Sequence, residues 1–414
     1  MLTTDWMAIV SVILLALSVL PGTLVILMLT NKMAVSEGGA RYIYGKAYWV
    51  GIASLALALY TLYRAIVAGP EHYFSPVLVG SVIAYGGILV WGFFMHTKLM
   101  FKPVRDPKYM SVQDALKKFG DKEEVVGVID AGGKPWAYVA RLSRRPHIVY
   151  QPEGPNPFIM THCILAHSSM AYRTDGRFAK PDITITAALA NNMVFYDKSN
   201  QCSVIQMHNQ SRDGAMPLGM QPTVAMSLGT WAKLYPDSKI WYRDVEWRDI
   251  FYLKMLARAD VIDPNSNVMV YPLQNALDKR LPIKSQVIGV QAGGQTMTYP
   301  QSLFDQGQDP VINDTVGGVN LVVVSAYRGD YIQVFDRMVD GQVLTFDRQA
   351  DGEALKDRET GSTWSLTGVC VSGSLQGKSL QAIPHYNKIF WYVWSDFHPG
   401  TPIYGGAAAR EAAE

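Results

Sequence analysis

Cysteine is scarce in this 414-residue chain: it has only Cys163, Cys202 and Cys370, and no two of them form a Cys-x-x-Cys. An odd count so widely spaced makes no disulfide framework and leaves the redox compartment undecided. Several enzyme signatures are absent too. There is no Gly-x-Ser-x-Gly elbow, no His-Glu-x-x-His, no Gly-x-Gly-x-x-Gly behind a strand and no phosphate-cradling P-loop. Gly373-Ser-Leu-Gln-Gly377 carries its Ser one place early and reads as a turn. Asp347 and Asp396 stand in segments where an Asp serves as a turn or cap residue. The formal net charge is only +2, with no basic stripe interleaved with aromatics, which argues against nucleic acid as a partner.

Charge itself is missing from three stretches of the N-terminal quarter. Trp6 to Thr30, Ala47 to Tyr63 and Tyr73 to Thr97 contain no Asp, Glu, Lys or Arg. Each is long enough to cross a hydrocarbon layer of roughly 30 Å as a helix. A cleaved signal peptide would need a basic start, whereas Met1 to Met7 carries only Asp5. With no ionisable group in mid-span, the usual mark of an ion or proton path is lacking. Tyr42, Tyr44 and Trp49, and Trp91 with Phe93 and Phe94, stand where interfacial aromatic anchors belong, and His72 and His96 read as helix-end residues.

Positive charge in the short loops sets the expected orientation. Lys32, Arg41 and Lys46 lie in the first loop and Lys98, Lys102, Arg105 and Lys108 follow the third run, against Arg64 alone on the other side. The bias predicts an inner-membrane protein with its soluble module in the cytoplasm; the periplasm is the alternative.

Beyond the apolar runs the chain repeats itself. Val125-Val-Gly-Val-Ile-Asp-Ala-Gly-Gly-Lys-Pro-Trp-Ala-Tyr138 parallels Val287-Ile-Gly-Val-Gln-Ala-Gly-Gly-Gln-Thr-Met-Thr-Tyr299, each read as strand, Gly-Gly turn, strand. Phe195-Tyr-Asp-Lys198 corresponds to Leu355-Lys-Asp-Arg358 at an offset of 160, and Trp231-Ala-Lys-Leu-Tyr-Pro236 to Trp394-Ser-Asp-Phe-His-Pro399 at 163. β-rich runs such as 157–172 and 318–335 fill each copy, and a short helix around the Trp closes it. The expected architecture is therefore a three-helix transmembrane anchor over 1–99, a β-rich α+β repeat over 100–243, a linker helix over 244–259, a second such repeat over 260–405 and a frayed tail over 406–414. The linker is expected to pack the copies together or against the membrane face.

The second copy contains Val311-Ile-Asn-Asp-Thr-Val-Gly-Gly-Val319, Phe335-Asp-Arg337, Asp357-Arg-Glu-Thr-Gly-Ser-Thr-Trp-Ser365 and Leu380-Gln-Ala-Ile-Pro384. In that order these motifs closely resemble the prokaryotic domain-of-unknown-function family 3179. The first copy, from Asp106-Pro-Lys-Tyr-Met-Ser111, resembles it more distantly. The resemblance brings no established activity. It implies a Trp-His-Glu before the Asn-Asp and a Cys-x-x-Cys-Gly ending the strand after Val-Gly-Gly, a pairing with redox or metal character. This chain departs from that pattern. In the second copy the Cys positions are Ala326 and Gly329 and the His position is Asp309; in the first, Cys163 is kept, Ala166 replaces the second Cys, and His147 lies within one residue of the His position.

His147, His162, Cys163 and His167 are thus the one cluster with metal-ligand character. On an extended strand Cys163 and His167 share a face and His162 takes the other. Cys163, His167 and His147, with Met160 or Met170 near, would suit copper or zinc. The competing readings are a Cys163 that is a small core residue among hydrogen-bonded histidines, and a Cys163 nucleophile activated by imidazole. Arg144-Arg145-Pro146 could meet anionic head groups. Two functions follow as expectations. One is a non-catalytic accessory or structural subunit of a larger membrane complex, with the lipid bilayer and other membrane subunits as partners. The other is a metal-binding or redox accessory protein handling copper, zinc or haem through Cys163 and the nearby histidines.

Overall fold

The computed structural model describes residues 2–256, 259–306, 309–350 and 352–405. The 406–414 tail lies outside the described residues, as do 257–258 of the expected linker helix. Packing divides the chain into two compact units, Met1–Pro103 with Asp175–Leu218 and Trp247–Leu256, and Val104–Thr174 with Gly219–Glu246 and Ala257–Glu414.

In the first unit three helices, Thr3–Thr23, Glu37–Ala68 and Pro76–Met95, are long and apolar enough to cross a membrane. The first helix packs against the other two. Hydroxyls stitch the group together: Ser54 Oγ donates to the Ser11 carbonyl at 2.7 Å, Ser18 Oγ to that of Ala47 at 2.8 Å, and the Trp91 indole to Thr23 Oγ1 at 2.9 Å. The charge-free run continues to Thr30, yet the helix stops at Thr23 and residues 24–30 fold into turns; Pro21, inside the last turns, leaves the Leu17 carbonyl to accept from the Tyr42 hydroxyl at 3.0 Å. Thr30 Oγ1 closes those turns on the Pro21 carbonyl at 2.7 Å.

The same unit holds an antiparallel sheet in the order Gln210–Ser211, Cys202–Ile205, Asn192–Asp197, Ile183–Leu189. The loop after the first helix is bonded to it. Asn31 exchanges two hydrogen bonds with the Ala188 backbone at 2.8 and 3.2 Å, the Ser203 N–H donates to the Glu37 carboxylate at 3.0 Å, and Arg212 donates to the Val35 carbonyl. Tyr44, expected as a lipid anchor, is buried; its hydroxyl lies 2.8 Å from Thr97 Oγ1 and donates to the Thr186 carbonyl at 3.1 Å. The linker appears as Trp247–Phe251 and a π-helical turn Tyr252–Leu256. It belongs to this unit, with Trp247 5.5 Å from the Phe94 ring and Tyr252 edge-on to Phe101 at 5.1 Å.

In the second unit the Gly-Gly hairpins form as the sequence predicts. Glu124–Ile129 pairs with Pro135–Val139, and Gln286–Ala292 with Gln295–Pro300, both antiparallel. Each first strand takes a further antiparallel neighbour, Thr223–Ser227 in one case and His385–Phe390 in the other. That neighbour runs straight into the Trp helix, Leu228–Leu234 or Trp391–Phe397. The Trp lies flat over a glycine of the first strand. A Cβ on Gly127 would stand 2.0 Å from Trp231, and one on Gly289 2.6 Å from Trp394, so only glycine fits beneath either ring. A run of three antiparallel strands also recurs, Ile148–Gln151, Phe158–Cys163, Ser168–Arg173, to which Met220–Gln221 adds a fourth, and then Val311–Val316, Val319–Ala326, Tyr331–Asp336. A four-stranded sheet, Phe346–Arg348, Ala354–Asp357, Thr363–Ser365, Cys370–Ser372, completes the later set. One apolar core takes in Trp136, Trp231 and Trp241 together with Phe335 and Trp364.

Candidate functional site

The residues singled out from sequence gather around one turn. Phe158–Cys163 is buried at every position, and the chain then turns through Ile164–His167 into Ser168–Arg173. The expectation of a single extended strand with Cys163 and His167 on a common face is thus corrected. His167 sits at the end of the turn with a left-handed backbone, φ 49°, and Cys163 pairs across the hairpin with Ser168.

Each imidazole is tied into the backbone or a neighbouring hydroxyl. His147, at φ 57° just before Ile148–Gln151, places Nδ1 2.7 Å from the His162 carbonyl oxygen, while the His162 N–H donates to the His147 carbonyl at 2.7 Å. His162 Nδ1 lies 2.9 Å from Ser169 Oγ. His167 Nδ1 lies 3.0 Å from the Lys388 carbonyl oxygen, and its Nε2 is 3.6 Å from Glu124. Burial holds His147 down to about 4, opposed by its bond to the His162 carbonyl, and drives His162 well below the ordinary imidazole range. Cys163 is a buried free thiol. Among the described residues no three His, Cys, Asp or Glu side chains are grouped so as to hold a metal ion. The His162 and His167 rings do approach, with centroids 6.5 Å apart.

Those two rings line a cavity of about 220 Å³. Glu124, Arg144 and Gln286 add polar walls, and Ile164, Ile262, Pro264 and Phe390 apolar ones. Sequence reasoning passed over Glu124, Gln286 and Phe390. A signal was present: Glu124 and Gln286 are separated by the same 162 residues that separate the Gly127 and Gly289 strands. The basic pair divides. Arg145 is buried and bonded to Glu246 at 2.7 Å, whereas Arg144 faces the cavity.

The later three-stranded layer builds the same turn from other chemistry. Asp309, φ 39°, precedes Val311–Val316 and its carboxylate accepts the Gly329 N–H at 3.0 Å. Arg348 fills the space beside it, donating to the carbonyls of Asp309 and Gly352 at 2.9 and 2.7 Å and to that of Ser325. The two turns dock reciprocally. The Phe390 N–H donates to the Ala166 carbonyl at 3.0 Å, and the Ser227 N–H to the Asp330 carboxylate at 3.1 Å, so each turn caps the strand that leads into the other's Trp helix.

The profile of the family described as "Protein of unknown function (DUF3179)" matches residues 102–401, so the chain belongs to that family. The match runs as one span across both sets of recurring elements. Neither the curated proteins nor the solved structures give a match.

Proposed function

We propose that this member of the DUF3179 family is a membrane-embedded, non-catalytic accessory subunit, held by three transmembrane helices and carrying an internally duplicated β-rich module as a docking surface for a larger membrane complex. The observation that carries this reading is the use made of the candidate ligands. His147 and His167 bond backbone carbonyls, and the corresponding turn is held by Asp309 and Arg348, so the constellation serves the fold in both places. The recurring hairpin, Trp helix and run of three strands support the duplication, and the reciprocal turns support packing of the copies as a pseudo-dimer.

Room for a further membrane subunit supports the partner reading. A groove of about 320 Å³ among the long helices is lined by the small residues Ala8, Ser11, Ala58, Ser81 and Gly86 interleaved with larger ones such as Leu55, Leu59 and Tyr85. Small residues let helix backbones approach closely in lipid, where apolar burial gives no drive to associate. Loop charge favours the cytoplasm for the module; the bonds between the Asn31–Arg41 loop and the Ile183–Ser211 sheet support a common side for loop and sheet. Copper, zinc or haem binding through Cys163 and the histidines is the second reading, favoured only by the approach of His162 to His167.

Gentle solubilisation from the native membrane, followed by particle mass and metal content, separates the two. The subunit reading expects a particle several times heavier than this 45.9 kDa chain with no metal assignable to it. A lone chain carrying one metal per chain, lost in Cys163→Ser, would overturn it.

A further inference from the structure

The cavity beside the first turn has the composition of a ligand site. Arg144 is half-buried in its wall and has no carboxylate partner among the described residues. A desolvated guanidinium of that kind calls for an anion, for which a carboxylate is the geometric match. Glu124 stands on the same wall with the reverse need, since its nearest basic partner is the imidazole of His167 at 3.6 Å. His162 is 5% exposed, with Nδ1 held by Ser169, which leaves Nε2 as the ring nitrogen with no hydrogen bond among the described residues. A ring nitrogen without a hydrogen bond at the wall of a polar cavity is available to whatever enters. Ile164, Ile262 and Phe390 supply an apolar surface beside these groups.

We infer that this cavity binds a small amphoteric molecule, an α-amino acid with an apolar side chain, through its carboxylate on Arg144, its ammonium on Glu124 and its side chain against Ile164 and Phe390. The volume of about 220 Å³ lies below the roughly 300–1,000 Å³ typical of drug-sized ligands and suits an occupant the size of a single amino acid. One opposed charge pair with an apolar patch discriminates by subtraction: a molecule lacking either charge loses one of the two charge-assisted contacts, that with the half-buried Arg144 or that with Glu124. The His162 Nε2 is the ring nitrogen available to donate to the bound carboxylate, while His167, its Nδ1 held by the Lys388 carbonyl, stands beside Glu124 at the ammonium end. No bond is made or broken, so the site is a receptor within the module.

Equilibrium dialysis of the full chain in detergent, with radiolabelled glycine, alanine, valine and leucine in turn, tests this. Saturable binding is expected for at least one of the apolar three. Cold 4-methylpentanoate, which lacks the ammonium, and 3-methylbutylamine, which lacks the carboxylate, are each expected to compete at least about tenfold more weakly than leucine. Arg144→Gln and Glu124→Gln are each expected to weaken binding about tenfold or more while the thermal midpoint holds. The absence of saturable binding for all four would overturn the inference. So would equal competition by 4-methylpentanoate, which would make this a plain carboxylate site. The competition arm uses only the unaltered chain, so it decides the matter even if a variant fails to fold.

Discussion

The two turns, Ile164–His167 and Tyr327–Asp330, occupy corresponding places and are solved by different means. The earlier one is held by imidazoles and leaves a cavity lined by His162 and His167. The later one is held by the Asp309 carboxylate and the three bonds of Arg348, which occupy the space. Arg348 ends the strand Phe346–Arg348, the first of the later four-stranded sheet. The corresponding earlier sheet, Ile183–Ser211, packs instead with the long helices. The later sheet places Arg348 beside its turn, whereas the earlier turn lines a cavity.

The sharpest way to break the correspondence is to remove the tryptophans. Trp231→Ala and Trp394→Ala each delete a fully buried indole lying on a glycine and are expected to cost about 3–5 kcal/mol each. Thermal unfolding followed by fluorescence would read this, and a cost confined to one variant would end the equivalence of the two Trp helices. Acid attacks both sets of elements at once. His147 before the earlier turn and His385 at the start of the later Trp-helix strand are held by burial to about 4, while the unfolded chain takes the proton near 6.5. The unfolded state therefore binds more protons in between. Stability is full above about pH 6.5 and falls as the pH drops towards 4, by on the order of 3 kcal/mol for each histidine. His147→Gln and His385→Gln should each flatten part of that slope in midpoint-against-pH curves; a slope unchanged in both would refute the assignment.

Smaller effects sharpen the comparison. Gly127→Ala and Gly289→Ala both drive a Cβ into the indole above, with an expected loss of about 1–3 kcal/mol. The approach is closer at Gly127, 2.0 against 2.6 Å, so that variant should melt at the lower temperature. Smallest of all is the exposed Arg358–Asp347 pair of the later sheet, at 2.6 Å with both side chains more than half exposed. Arg358→Ala should leave the thermal midpoint nearly unchanged, and high salt should erase what difference there is.

The parts legible in the sequence were those with a local signal. Uncharged runs marked the long helices, the Gly-Gly turns marked both hairpins, and the Trp motifs marked both closing helices. The turn at Ile164–His167 was hidden because it contains no Gly, Pro, Asn or Asp, and because Phe158–Cys163 is buried throughout and shows no alternation. Tyr44 resembled a lipid anchor since its partner carbonyl, on Thr186, is 142 residues away. The cavity was illegible for the same reason. Its walls come from segments as distant as Glu124 and Phe390, and only the repeat offset linked Glu124 to Gln286 beforehand.

The bonds from Asn31, Val35, Glu37 and Tyr44 to the Ile183–Ser211 sheet bear on how this protein can be cut. A chain trimmed at Val104 to discard its greasy front would still contain Asp175–Leu218, now stripped of the side chains and carbonyls that satisfy its backbone. The bared sheet would offer its unpaired edge to the next copy. Solubility would fall on removal of the hydrophobic segment, the reverse of the usual experience with anchored domains. What looks like an anchor tied to a cargo is, for those forty-odd residues, the other half of their fold.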